Sequence, residues 1–277
     1  MQYDLTEEQR MLQDTVRRLA REKVAPGAGQ RDEVAHFDWK MVDLLRENGL
    51  YGIDFPEDHG GSGAGMLALA IAVEELSKVD AATGLLIADQ ELGSLPIILA
   101  ANESQRARYL PKLASGEHLA AFALTEPAAG SDVARLRCRA VRDGDHYILN
   151  GRKTFITMAP LADYTIIYAK TDMSKGTRGI TAFIVDMKLP GVSCGRPEHK
   201  MGLIGCATSD IILEDVRVHK DDVLGEIGKG FINAMKTLDG GRLGVAAQSI
   251  GVAQGCLDET IRYAKDRRQF GKRIADF

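Results

Sequence analysis

Cysteine is scarce, with four in 277 residues, at positions 138, 194, 206 and 256. No two stand at a metal-ligand spacing and there is no CxxC, so neither a disulfide framework nor a structural zinc site is expected. The six histidines are scattered without an HExxH, and no metal is expected. Long hydrophobic runs are missing: stretches such as Met66–Val73 are far too short to span a bilayer. The start, Met1-Gln2-Tyr3-Asp4, has neither the basic opening nor the apolar core of a signal peptide. A cytoplasmic location without a membrane partner is the expectation. Charge of one sign is lacking too: 35 Lys and Arg against 39 Asp and Glu leave a net charge of -4. That excludes a strong field toward nucleic acid, and the basic run at 265–273 does not change the expectation of no nucleic-acid partner. There is no Walker A motif and no GxGxxG after a first strand, so a nucleotide cofactor would need a different cradle.

What is present is ordinary globular material: 45% hydrophobic and 27% charged residues, in a chain long enough to bury a core without staples. The first hundred or so residues carry helical periodicity. Thr6 with Gln9 fits a capping box, Leu12, Val16, Leu19 and Val24 follow at helical spacing, and Pro26-Gly27 is expected to stop that helix. Asp38 caps a second helix ending at Asn48-Gly49. A glycine-rich loop over 55–65 precedes helical patterns over 66–79 and 82–100, and Asn102 with Gln105 opens another toward Leu113. The period then changes. Leu119 to Leu124 is a short apolar run, and 137–149 has the form strand, Asp143-Gly144 turn, strand. Tyr164–Ala169, Ile180–Val185, Ile211–Leu213 and Val216–Val218 read as further strands. No helix-length pattern intervenes, so antiparallel pairing into a barrel or sandwich is expected. Helical spacing returns after Gly230, with Gly240-Gly241 either separating two helices or lying inside one.

The fold class expected is multidomain α and β: an N-terminal all-α domain over 1–118, a central antiparallel β-barrel-like domain over 119–226, and the start of a C-terminal helical bundle over 227–277. Within it, Phe122 to Asp132 (FALTEPAAGSD) raises a specific question. A threonine, a proline, a glycine, a serine and two acids directly after an apolar run make either a plain turn or a cradle.

The segments F122-A-L-T-E-P-A-A-G-S-D132, N150-G-R-K-T-F-I-T157, L213-E-D-V-R-V218, G228-K-G-F, L238-D-G-G-R-L-G244 and Y263-A-K-D-R-R-Q-F-G-K272 occur in this order. Together they resemble the FAD-dependent acyl-CoA dehydrogenases. The resemblance covers the whole chain and implies a helical domain, a β domain and a four-helix C-terminal domain. It also implies a homotetramer built as a dimer of dimers. The activity it implies is α,β-dehydrogenation of an acyl-CoA, with the β hydrogen passing as hydride to FAD and electrons going on to an electron-transfer flavoprotein. Alternatives within reach are a flavin acyl-CoA oxidase, an enoyl-CoA reductase, or a non-catalytic CoA-binding or scaffold subunit.

By that resemblance Phe122, Leu124 and Thr125 line the flavin ring, where fixed donors tune electron acceptance. Gly130 and Ser131 lie by the pyrophosphate, and Ser131 also borders the CoA path. Phe155 lies against one flavin face, with Thr157 near the ring. Arg242 supports the active centre, and Asp239 lies near the CoA moiety. Arg267, Gln269 and Phe270 reach the FAD of a neighbouring subunit, Arg267 at its pyrophosphate. The general base is expected beyond residue 277, as in most of the family. A minority branch carries it directly before the arginine matching Arg242, where this chain has Gly241. Glu126 and Asp132 are read as structural, and Glu91 and Asp239 do not match family bases. D89-Q-E91 is polar where a long acyl chain would want an apolar tunnel, which points to a short, cyclic or functionalised acyl group. In the glutaryl-CoA branch an arginine near Gly84 holds a distal carboxylate, and none is here.

Overall fold

A computed structural model describes residues 4–34 and 37–277. The leader reading of Met1-Gln2-Tyr3 lies outside them. Helix α1 (Glu7–Leu19) opens with the expected capping box: Thr6 Oγ1 accepts from the Gln9 N–H at 3.2 Å and Gln9 Oε1 from the Thr6 N–H at 3.0 Å. Pro26-Gly27 does not stop the helical path. The chain widens into a π turn over Ala20–Val24, tightens over Ala25–Gly27 and continues as α2 (Ala28–Val34). Pro26 sits in the first turn of the tightened stretch, where its missing N–H is not needed. The Val24 carbonyl accepts from Arg31 Nη2 at 2.6 Å, and the same guanidinium holds Asp80.

Helix α3 (Trp39–Glu47) starts at Asp38, whose carboxylate accepts from the Lys40 N–H, and ends at Asn48 before Gly49, which adopts φ 67°. Helices α4 (Gly65–Ser77), α5 (Ala81–Ala100) and α6 (Glu103–Ala114) follow. By length and composition α5 could cross a membrane, which the short-run reading of the sequence overlooked, yet 67% of its apolar window is buried inside the protein. It is the core helix between α4 and the sheet. Gln105, in the second capping box, also donates to the carbonyls of Asp221 and Val223 and ties α6 to the sheet.

The sheet runs β6-β7-β3-β2-β4-β5-β8, with β1 added on β4. Its strands are β1 (Ala120–Ala123), β2 (Arg139–Asp143), β3 (His146–Thr157), β4 (Tyr164–Lys170), β5 (Ile180–Asp186), β6 (Val192–Cys194), β7 (Thr208–His219) and β8 (Val223–Leu224). The Asp143-Gly144 turn joins β2 and β3, with Gly144 at φ 60°. Two expectations need correcting. The sheet does not close into a barrel, and pairing is not wholly antiparallel: β1 runs parallel to β4. The chain leaves β1, makes the β2–β3 hairpin outside it, and returns beside β1 in the same direction.

Helix α7 (Gly230–Asp266) is a single 37-residue element, so Gly240-Gly241 lies inside it. The glycines are where neighbours come close: a Cβ on Gly240 would stand 2.7 Å from Leu95, and one on Gly241 2.7 Å from Leu92. Further along, Gly251 and Gly255 press on the carbonyls of Glu74 of α4 and of Lys78, which caps it. Close packing of this kind offsets the propensity cost of about 1 kcal/mol per glycine. Three buried clusters result: one among the helices (Val42, Leu45, Leu76, Ile87), one between helices and sheet (Ile97, Leu110, Tyr168), and one within the sheet (Leu149, Ile167, Phe183).

Candidate flavin and substrate site

Strand β1 ends at Ala123 and leads into the polar loop. Phe122 is half-buried, its ring 5.2 Å from that of Tyr168. Leu124 is buried, Thr125 is half-exposed, and Gly130 and Ser131 are exposed. The loop is held by its own turn, in which Glu126 and Ala129 exchange two backbone hydrogen bonds of 3.0 Å. A Cβ built on Gly130 meets nothing within 4 Å, so this part of the loop faces open space.

Lys153 fixes the loop to the sheet. Its side chain is fully buried, and its Nζ donates to the Leu124 carbonyl at 3.1 Å and to Glu126 at 2.9 Å. Glu126 also accepts from the backbone N–H groups of Arg137 and Cys138. The Thr154 N–H donates to the Thr125 carbonyl at 2.9 Å. Leu124-Thr125 and Lys153-Thr154 are therefore side by side. Glu126 is structural, as the sequence suggested, but the importance of Lys153 was not visible there. Its only sequence signal was a lysine at a position whose alternation faces inward.

Next to these contacts, β3 carries an extra residue relative to β7 between Lys153 and Ile156. Phe155 sits in this bulge at φ 56° with its side chain 65% exposed. A left-handed aromatic residue, presented to solvent beside a glycine-containing loop, is a strained arrangement of the kind that marks binding sites. Arg152 donates to Asp210 across the bulge. Burial pushes the Asp210 carboxyl up, but hydrogen bonds from Thr154 and Arg152 outweigh this and hold it below the ordinary carboxylate range. Thr157 pairs with Thr208 two residues along the same strand. The chain thus brings together Phe122, Leu124, Thr125, Phe155 and Thr157, with Gly130 and Ser131 at the open end.

The remaining candidates lie on α7 and beyond it. Arg242 and Asp239 form an exposed pair at 3.4 Å. Arg267 ends the helix, and Gln269 lies in a small hairpin of β9 (Arg268–Gln269) with β10 (Lys272–Arg273). Phe270, at its tip, is 93% exposed. Among the described residues no hydrogen bond joins Arg267, Gln269 or Phe270 to the loop over 122–132.

The acids of α5 are buried. Burial pushes Glu91 up to about 8, with Asp54 and Asp89 adding to the shift. Burial pushes Asp89 up to about 7, with Lys200 opposing, and Asp54 up to about 6.

Three family profiles match in succession: acyl-CoA dehydrogenase N-terminal domain over residues 6–117, middle domain over 121–216 and C-terminal domain over 228–277. The chain belongs to the acyl-CoA dehydrogenase family. Its members are FAD-dependent oxidoreductases. Among curated relatives, the CarC subunit of the caffeyl-CoA reductase-Etf complex of Acetobacterium woodii is 57% identical over 89% of this chain and 65% of its own length. The 3-(aryl)acrylate reductase of Clostridium sporogenes is 50% identical over 98% of this chain and 72% of its own. The chain thus spans about two thirds of the length of these relatives. Butyryl-CoA dehydrogenase of Megasphaera elsdenii superposes with a TM-score of 0.97 at 40% identity, covering 100% of this chain and 74% of that one.

Proposed function

We propose that the protein is an FAD-dependent acyl-CoA dehydrogenase that removes hydrogen from Cα and Cβ of an acyl-CoA thioester and passes electrons to an electron-transfer flavoprotein. The observation that carries this reading is the joining of Leu124-Thr125 to Lys153-Thr154 beside the exposed, left-handed Phe155. The residues present fit the cofactor: an open glycine turn, an aromatic ring on a rigid bulge, and a threonine hydroxyl between them. FAD, when bound, supplies the acceptor for the β hydrogen. The chain itself supplies position. Phe122, Leu124, Thr125, Phe155 and Thr157 hold the ring system, and Gly130 and Ser131 the pyrophosphate side. The buried Lys153–Glu126 pair keeps the two segments in register, so the donors of the site stay fixed as charge moves.

Arg242 and Asp239 serve the substrate end of the site, and Ser131 the CoA path. Arg267, Gln269 and Phe270 serve a neighbouring subunit's FAD in a homo-oligomer, a tetramer by this reading, which accounts for their exposure in a single chain. The general base is assigned neither to Glu126 of the loop, which is taken up by Lys153 and two backbone N–H groups, nor to Asp210 of β7, which is held by Arg152.

The reverse direction, reduction of an enoyl-CoA, is the second reading. What favours it is that the relatives at 57% and 50% identity are named a subunit of a caffeyl-CoA reductase-Etf complex and a 3-(aryl)acrylate reductase. One experiment separates the readings. The purified full protein is titrated anaerobically with saturated acyl-CoAs, and in its reduced form with the enoyl-CoAs. Bleaching of the flavin by a saturated acyl-CoA supports dehydrogenation, and reoxidation only by enoyl-CoA supports reduction. A protein that takes up no FAD sinks both.

A further inference from the structure

Glu91 is an acid without a partner in the middle of the helical layer. It is 1% exposed, and among the described residues neither carboxyl oxygen meets a hydrogen-bond donor. Its direction is defined by α7: the Cβ positions of Gly240 and Gly241 lie 3.6 Å from Oε1 and 3.9 Å from Oε2. The carboxyl therefore lies against the helix backbone immediately before Arg242. Ser94, three residues further along α5 and fully buried, also has a hydroxyl without a partner. Arg242 does not neutralise Glu91, since it is exposed and paired with Asp239.

Buried polar groups in stable folds are almost always hydrogen-bonded, and each exception calls for an explanation. A helix seam that served packing alone would carry leucine at position 91. Here the seam carries a carboxyl opposite two glycines, with an unpartnered hydroxyl three residues further along the same helix, and the Cβ positions of those glycines are met by the Glu91 oxygens and by the ends of Leu92 and Leu95. Flexible side-chain ends can turn aside, whereas backbone could not.

We propose that the acyl group of the thioester enters the α5–α7 seam at Gly240-Gly241, and that Glu91 and Ser94 hydrogen-bond a hydroxyl group carried on it. The substrate class is then an acyl-CoA with an oxygenated acyl end, not a plain hydrocarbon chain. This rests on the acyl-CoA reading above and deepens it.

The test uses the full holoprotein and two matched substrates, 3-(4-hydroxyphenyl)propanoyl-CoA and 3-phenylpropanoyl-CoA, or the corresponding enoyl-CoAs. A site built to bond a hydroxyl discriminates strongly against the analogue lacking it. Wild type should favour the hydroxylated member by about tenfold or more in kcat/KM, and Glu91→Leu should bring that ratio to about one, whatever the absolute rates. Glu91→Gln, which keeps the shape, covers the case in which the leucine variant fails to fold, and its ratio should also fall. An infrared difference spectrum adds a readout independent of turnover. The carboxylic-acid carbonyl band should shift on binding the hydroxylated substrate and be absent in Glu91→Gln. Equal ratios in wild type and variants, with an unmoved band, would overturn the proposal while leaving the acyl-CoA reading intact. If neither substrate perturbs the flavin and butyryl-CoA does, the aryl-sized seam is likewise overturned. If no acyl-CoA perturbs it, the functional reading itself fails.

Discussion

At Lys153 an ammonium group has no exposed surface and meets the Leu124 carbonyl and the Glu126 carboxylate. Removing one partner of a buried pair leaves the other charge uncompensated. Lys153→Met should therefore lower stability by about 3–5 kcal/mol in a urea titration, and it should weaken FAD retention on gel filtration. A second prediction concerns pH. The folded Glu91 carboxyl is raised to about 8 by burial, so at intermediate pH the folded chain holds a proton that the unfolded chain has lost. Its contribution is complete below the ordinary carboxylate pKa and is lost as pH rises toward about 8. Glutamine has no such loss, so the melting temperature of Glu91→Gln relative to wild type should climb between pH 5 and pH 8. Glu75 has the opposite sign. Burial raises it, but bonds from Arg17 and Lys78 prevail, and its stabilisation fades as pH falls. At this scale the caps at Thr6 and Asn102 were legible, because their partners lie three residues away. The role of Lys153 and the left-handed bulge that presents Phe155 were not. Both depend on a strand register set by β7, more than fifty residues distant.

Elements meet through missing side chains as much as through present ones. A Cβ on Gly255 would stand 2.2 Å from the Lys78 carbonyl, which is backbone and cannot turn aside. Gly255→Ala should force α7 from α4 and destabilise by about 1–3 kcal/mol. Gly29, inside α2 with nothing within 4 Å of its Cβ position, is the control. There alanine should stabilise by about 0.5–1 kcal/mol. Thermal melts of the two variants check both signs. Most helices were readable from their period and caps. The glycine pair in α7 was ambiguous because the compensating contacts with Leu92 and Leu95 come from another helix. The stop expected at Pro26-Gly27 failed because a π turn upstream absorbed the irregularity.

Across the whole molecule, the far half of α7 is exposed: Ile250, Leu257 and Ile261 are 58%, 52% and 44% accessible, and no residue of this helix beyond Gly251 is buried. An apolar face of this kind fits the homo-oligomer proposed above. A polypeptide of these 277 residues should sediment heavier than its 30.1 kDa monomer, and replacing Leu257 and Ile261 by glutamate should return it toward that mass. The order helices, strands, helices was legible in the sequence. The open mixed sheet was not, because nothing local to β1 says which strand it will join.

The parallel pairing of β1 with β4 also bears on how the chain folds. The β2–β3 hairpin closes across two residues, whereas Ala120 must find Tyr164 and His146 must find His219. Hairpins form in about 1–10 μs, while ladders between distant segments wait on loop closure. The strand that leads into the Leu124-Thr125 loop is among the late arrivals. In refolding, secondary structure should return first, and quenching of flavin fluorescence should lag behind it even when FAD is present from the start.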